Sequence, residues 1–188
     1  LHLLPTDVYV WFMECEEANA FYRSDSKQIS LCFELVEALF DTFSPYAEGE
    51  DLAIAVWNTL TFIFYHEFGH ALVDVRDLPI TGREEDVVDQ LATLVLTSVE
   101  GGADTALLGA NWFSLQAESL TGQMAFADEH SLNEQRFFNI VCWVYGSNPG
   151  EYDYLIENWG LPPERAERCP SEFQQIESSW DRLLELGT

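Results

Sequence analysis

The chain has 188 residues, of which 47% are hydrophobic and 14% aromatic, which is enough for one well-packed core and excludes a globally disordered protein. Its 8 basic and 33 acidic residues give a formal net charge of −25. A surface this acidic repels nucleic acid and anionic membranes, so both are excluded as partners. The charge could favour cationic substrates, but we prefer the simpler interpretation of a solvated acidic surface.

The N-terminal 45 residues are expected to form mainly a sheet. Val8, Val10 and Phe12 alternate with outward-facing positions, which predicts a strand. Two further extended segments follow, at residues 20–23 and 28–33. A short polar turn separates them, so they could pair as a hairpin. The residues from Cys32 onward also fit a helix, and we place the change from strand to helix near residue 33.

From residue 51 onward the pattern is helical. The proline-free run from Asp51 to Val75 carries apolar residues at helical spacing. Three S/T-x-x-E/Q capping boxes, beginning at Thr81, Ser131 and Ser171, mark later helix starts. Further helices are therefore predicted near residues 82–98, 103–120, 132–145 and 172–186. No repeat or linker divides the chain, so we expect a single α+β domain, residues 1–188, with a small N-terminal sheet (1–45) packed on a mostly helical body (51–188).

The longest apolar stretch, Ala53 to Tyr65, is interrupted by polar residues and is too short to span a bilayer, so it is interpreted as a buried helix. The chain begins at Leu1 without a methionine and has no basic or apolar leader region. We expect that a signal peptide has been removed.

Four cysteines form no C-x-x-C pair, which argues against a thiolate zinc site. Their even number and wide spacing suggest two disulfides, most simply Cys15–Cys32 and Cys142–Cys169, although three pairings exist. Four reduced, buried thiols are the alternative. If the bridges form, the compartment is oxidising, either periplasmic or extracellular.

The pentapeptide His66-Glu67-Phe68-Gly69-His70 is the most informative motif. Positions i and i+4 share one face of a helix, so both imidazoles can bind one metal ion, with Glu67 close enough to act on a water there. Shuffled sequences with this His and Glu content would contain H-E-x-x-H roughly once in a hundred. Gly69 would let another backbone approach the helix closely, or simply allow tight packing.

A catalytic zinc site needs a third protein ligand, which should come from another element. Glu85 and Asp89 lie four residues apart on the next predicted helix and share a face. Glu85 would bind the metal, and Asp89 would orient a ligand histidine from behind. Glu84 and Asp86 are the rival ligands, and acidic residues at a helix start can also serve the helix dipole alone.

The combination His66-Glu67-x-x-His70 with Glu85-x-x-x-Asp89 resembles the gluzincin pattern of zinc metallopeptidases. The longer matches resemble a bacterial metallopeptidase family of unknown function, and further similar blocks lie at residues 127–132, 135–139 and 145–146. The resemblance implies an N-terminal sheet over the active-site helix and zinc as the cofactor. It also implies ligands His66, His70 and Glu85, with Glu67 as the base and Asp89 behind a histidine.

A zinc peptidase also needs a donor for the developing oxyanion. His130 is the best candidate, because the neighbouring Asp128 and Glu129 favour its protonated, donating form. An ordinary exposed or capping histidine is the alternative. Arg136 and Tyr145 are weaker candidates. In addition, Asp74 could orient His70, although a surface carboxylate is the preferred interpretation.

The sequence thus predicts a monozinc enzyme that hydrolyses peptide bonds in a peptide or protein substrate. A non-catalytic binding or regulatory protein on a metallopeptidase fold is the second hypothesis. A third is a structural metal site that joins two helices, in which case a fourth protein ligand, His130 or Asp86, should close the coordination sphere.

Overall fold

The computed structural model describes residues 4–116 and 132–186. Its three strands are β1 (Tyr9–Met13), β2 (Ala20–Arg23) and β3 (Gln28–Cys32), in the spatial order β1-β3-β2. The strands β2 and β3 form the predicted antiparallel hairpin, with Ala20 opposite Leu31, while β1 runs parallel to β3. Because β3 is central, β2 is an edge strand.

The other described elements are helices. They are α1 (Phe33–Phe43), α2 (Gly49–Val75), α3 (Glu84–Thr97), α4 (Gly102–Gln116), α5 (Asn133–Ser147), α6 (Tyr154–Asn158), α7 (Pro163–Ala166) and α8 (Cys169–Leu186). The change from strand to helix falls at residue 33, as predicted. The α+β class with a small N-terminal sheet is confirmed.

Two of the predicted capping boxes are wrong. Helix α3 begins at Glu84 rather than after Thr81, and its N-cap, Arg83, makes no side-chain cap. Its first turn instead holds three acidic residues, which favour the positive end of the helix dipole. Helix α8 begins at Cys169, where a disulfide fixes the chain, so the Ser171 hydroxyl lies in the first turn and donates to the Arg168 carbonyl. The third box begins at Ser131, outside the described residues.

Helix α2 is the centre of the fold because two apolar clusters pack on it. The first lies between the sheet, α1 and α2, and the second joins α2 to α3, α4, α5 and α8. Phe68 and Trp112 contact both clusters. The middle of α2 is therefore buried from two sides, which explains its apolar sequence without a membrane. No helix in the described ranges combines the length and apolar character that crossing a bilayer requires.

Both disulfides are present in the pairing that the spacing suggested. Cys15 joins Cys32 at the end of β3, and Cys142 of α5 joins Cys169 at the start of α8. The described cysteines include no free thiol. The first bridge closes a loop that contains β2, and the second ties the two C-terminal helices together.

Candidate metal centre

Helices α2 and α3 lie against each other at Gly69. A Cβ atom built on this glycine would stand only 2.7 Å from the Val88 Cβ, closer than real Cβ contacts come. The contacts of His66 with Asp89 and of His70 with Glu85 show that the two helices run antiparallel. The glycine therefore allows the approach that brings acidic residues of α3 onto the histidine face of α2.

The carboxylate of Glu85 contacts both histidines. Its Oε2 lies 3.1 Å from His66 Nε2, and its Oε1 lies 3.3 Å from His70 Nε2. One ligand atom from each residue lies within 4.8 Å of the others, a spacing that can hold a metal ion. Of the two rival ligands, Glu84 contacts the opposite nitrogen of His70, and Asp86 lines a separate cleft. The arrangement favours Glu85 among the acidic candidates.

The outer nitrogen of each histidine is held by a carboxylate. His66 Nδ1 lies 2.7 Å from Asp89 Oδ1, and His70 Nδ1 lies 2.8 Å from Glu84 Oε1. When Nδ1–H donates to such a carboxylate, the Nε2 lone pair is left pointing at the shared site, as in metal-binding histidines. Asp89 thus contacts a histidine of the pentapeptide, and Glu84 contacts the other, which was not predicted.

Asp74 does not orient His70. Its Oδ2 instead accepts hydrogen bonds from the Tyr22 hydroxyl at 2.6 Å and from Lys27 Nζ at 2.7 Å. These partners come from the β2–β3 hairpin, so Asp74 fastens the hairpin to α2. The suggestion that Asp74 orients His70 was wrong, because the fold places Lys27 and Tyr22 against its carboxylate instead.

Arg136 of α5 completes the buried network behind His66. Its Nε and Nη2 donate to the two oxygens of Asp89 at 2.7 and 2.8 Å, and its guanidinium lies 3.7 Å from the ring centroid of Phe113. Burial opposes ionisation of Asp89, but the charge of Arg136 and the hydrogen bond with His66 outweigh it and hold the pKa of Asp89 well below its ordinary value. Arg136 therefore supports Asp89. An ion pair was the alternative to an oxyanion role for Arg136, but the sequence did not identify its partner. A clue existed, because an aspartate among apolar residues of α3 needs a counter-ion.

The two histidines favour the protonated state in the absence of metal. For His70, burial lowers the pKa, but hydrogen bonds with Glu85 and Glu84 outweigh it and raise the pKa to about 9. For His66, burial is likewise outweighed by Asp89 and Glu85, so its pKa is raised. The surrounding carboxylates thus favour a cation at this place. Two imidazoles and a carboxylate are also the donor set of catalytic zinc sites, so the residues present fit such a metal.

Glu67 lies between the histidines and the sheet. Its side chain is buried, and burial raises its pKa, although the charges of His66 and His70 partly oppose this. The backbone N–H of Tyr22, on the edge strand β2, donates to its carboxylate. A cleft of about 400 Å³ opens here between β2 and the two helices. A carboxylate with a raised pKa at the floor of a cleft is suited to proton transfer.

The predicted oxyanion donor, His130, lies outside the described residues with its neighbours Asp128 and Glu129. Its role stays a prediction. Tyr145 is half-buried and packs against the core cluster of α2 to α5 rather than lining the cleft.

A family model described as "Putative metallopeptidase" matches residues 1–184. The chain belongs to this family. The match includes both helices of the metal centre, so metallopeptidase membership and a cluster that could hold a metal ion coincide in one region. No curated protein and no solved structure matches the chain. Membership of this metallopeptidase family therefore points to a metal ion and a peptide substrate. It identifies neither the metal nor the peptide.

Proposed function

We propose that the protein is a zinc-dependent hydrolase of peptide bonds, with His66, His70 and Glu85 as ligands and Glu67 as the general base. The observation that carries the proposal is the convergence of the two histidine Nε2 atoms on one carboxylate of α3. A structural site would need a fourth protein ligand. In the described part of the chain, the metal-ligand group contains these three residues and no fourth.

Each residue has a distinct chemical task. A bound zinc ion would supply Lewis acidity toward the substrate carbonyl and make a water acidic near pH 7. Glu67 takes a proton from the attacking water as the carbon–oxygen bond forms, and gives a proton to the amine nitrogen as the peptide bond breaks. Asp89 and Glu84 hold the imidazoles in place. The raised pKa of Glu67 suits it to both transfers.

The proposed compartment is periplasmic or extracellular. Disulfides persist in oxidising compartments and are rare in the cytosol of most organisms. The chain carries two, one from the loop after β1 to the end of β3 and one between α5 and α8.

The test compares Glu67→Gln with the parent protein. Zinc should be present at about one ion per chain in both, while peptide hydrolysis by the variant should fall by roughly 10²–10⁴-fold, because only the proton acceptor is lost. Glu50→Gln, at the exposed start of the same helix, is the matched control and should keep full activity. Undiminished hydrolysis by Glu67→Gln would contradict the mechanism, and full zinc occupancy without hydrolysis by the parent would favour a binding or regulatory role.

A further inference from the structure

The sheet has a second edge strand, β1, on the side away from the metal centre. In the spatial order β1-β3-β2, the strand β2 borders the cleft and β1 lies at the far edge, with β3 between them. The described part of the chain places no other strand beside β1. A molecule bound along β1 would therefore leave the cleft open.

The outer backbone of β1 is available for pairing. The N–H of Tyr9 donates to the carbonyl of Lys27 at 2.9 Å, so it points toward β3. Because the direction of the backbone groups alternates along a strand, the N–H and C=O groups of Val10 and Phe12 point away from β3. A strand edge that presents such groups can pair with an added strand.

The side chains of β1 are apolar for an exposed edge. Tyr9, Val10, Trp11 and Phe12 are each between 47% and 57% exposed. Exposed edges are commonly protected by charged residues or proline, and β1 contains neither. The ring of Phe12 stacks on that of Phe33, with 6.4 Å between the centroids, so the apolar surface continues onto α1. A contiguous exposed apolar surface is typical of an interaction site.

A groove of about 590 Å³ follows Phe33 along the outside of α1. Its lining combines apolar and acidic side chains, which are Phe33, Val36, Phe40, Glu14, Glu34 and Glu37. The carboxylate of Glu34 accepts hydrogen bonds from the backbone N–H groups of Cys15 and Glu16. Glu14 and Glu37 are exposed, and neither pairs with a basic side chain within the described ranges. The groove therefore offers apolar contacts beside two carboxylates that lack a cation.

The charge around β1 selects the kind of partner. Exposed acidic residues stand at both ends of the strand, Asp7 before it and Glu14 after it. The first 75 residues contain two basic ones, of which Arg23 lies over an aromatic ring of β2 and Lys27 binds a carboxylate of α2. A second copy of this chain would bring the same acidic ends and a further charge of −25, so it would be repelled. A basic segment would be attracted.

We propose that the outer edge of β1 is a docking site for an extended, basic segment of a partner protein, which adds to the three-stranded sheet as a further strand. Its backbone pairs with Val10 and Phe12, its apolar side chains cover Phe12 and Phe33, and its lysine or arginine side chains meet Asp7 and Glu14. The site is separate from the metal cleft, so the proposal does not depend on the hydrolase function.

The first experiment measures docking on the whole chain, which carries Glu67→Gln to prevent cleavage of the probe. The probe is the peptide acetyl-Lys-Val-Thr-Val-Thr-Val-Lys-amide, and its control has glutamate in place of both lysines. Hydrogen exchange followed by NMR should slow at the amides of Val10 and Phe12 when the lysine peptide binds, and should not change at Tyr9, which is already paired. The glutamate peptide should bind at least roughly tenfold more weakly.

The second experiment changes the edge itself. Val10→Pro removes an outward N–H without removing a bond to β3, and it should weaken binding of the lysine peptide by roughly tenfold or more. Val10→Thr is the matched control, because it keeps the N–H, and it should bind like the parent. The double variant Asp7→Asn with Glu14→Gln keeps the backbone edge but should lose the preference for lysine over glutamate and most of the salt dependence.

The outcomes decide the proposal. Slowed exchange at the two outward amides, together with preference for the lysine peptide, would support the site. Equal binding of the two peptides, unchanged affinity in Val10→Pro, or no binding of the lysine peptide would overturn it. A parent chain that sediments as a dimer, and as a monomer with Val10→Pro, would assign the edge to a second copy and would also overturn it.

Discussion

At the scale of single residues, the pair of Asp89 and Arg136 controls how His66 is held. The carboxylate is almost fully buried, and the arginine meets it with two parallel hydrogen bonds. A lysine would keep the charge but lose the fork geometry. Since Asp89 must stay in place to hold the His66 ring, the arginine would act on the proposed metal site indirectly, through Asp89 and His66.

We expect Arg136→Lys to fold but to bind zinc roughly 10–100-fold more weakly, the usual effect of disturbing partners of ligand histidines. Arg136→Met should lower the free energy of unfolding by about 3–5 kcal/mol, because it leaves a buried carboxylate without its counter-ion. Chelator competition and urea unfolding measure the two effects. Arg165→Lys is the control, since Arg165 also forms two bonds to a carboxylate, that of Glu172, but far along the chain from the ligands. Unchanged zinc affinity in Arg136→Lys would contradict the role given to the arginine.

Zinc binding should depend on pH through the histidines. The pKa of His70 in the metal-free fold, about 9, lies above its ordinary value of 6.5, so protonated His70 stabilises that fold below pH 6.5 and the contribution is lost as the pH rises through 9. Zinc must displace this proton, so apparent affinity should rise about tenfold per pH unit for each proton released. Chelator competition from pH 6.5 to 8 measures the slope, and a flat profile would contradict the protonated state.

At the scale of elements, the contact of α2 with α3 sets the geometry of the site. We expect Gly69→Ala to destabilise the protein by about 1–3 kcal/mol, because the new methyl group would press on Val88 and its backbone. Zinc affinity should fall as well, since α3 carries Glu85. Thermal unfolding with and without zinc measures both effects.

Gly82→Ala is the matched control for this substitution, because nothing lies within 4 Å of its Cβ position. The double variant Gly69→Ala with Val88→Ala should recover part of the lost zinc affinity by making room for the methyl group. If Gly69→Ala were as stable as the parent, the close approach of α2 and α3 would not depend on this glycine.

The sequence predicts those features of the elements that depend on neighbours along the chain. The spacing of His66 and His70, the β2–β3 hairpin and the length of α2 follow from local periodicity, so they could be predicted. The contact of Tyr22 with Asp74 depends on where the hairpin packs on α2. Arg136, which pairs with Asp89, lies 47 positions after it in the chain. Such contacts depend on how elements pack, which local patterns do not encode.

At the scale of the whole molecule, the two disulfides stabilise different layers. We expect removal of either bridge, by Cys15→Ser with Cys32→Ser or by Cys142→Ser with Cys169→Ser, to cost about 3 kcal/mol, as for loops of this length. Urea unfolding of each double variant measures the loss. Removal of the Cys15–Cys32 bridge should weaken the sheet that borders the cleft. Removal of the Cys142–Cys169 bridge should weaken the packing of α5 against α8. Unfolding midpoints that do not change on reduction of the parent protein would contradict both.

The grouping of the proposed ligands within residues 66–89 has a consequence for biogenesis. The three proposed ligands lie in one helical hairpin, whereas Arg136 comes much later in the chain. We expect the hairpin alone to hold an ion loosely and to bind it tightly only after the fifth helix docks. Metal loading and completion of the C-terminal half would then be successive steps of maturation, and truncation after the fourth helix should give a chain that exchanges its ion quickly.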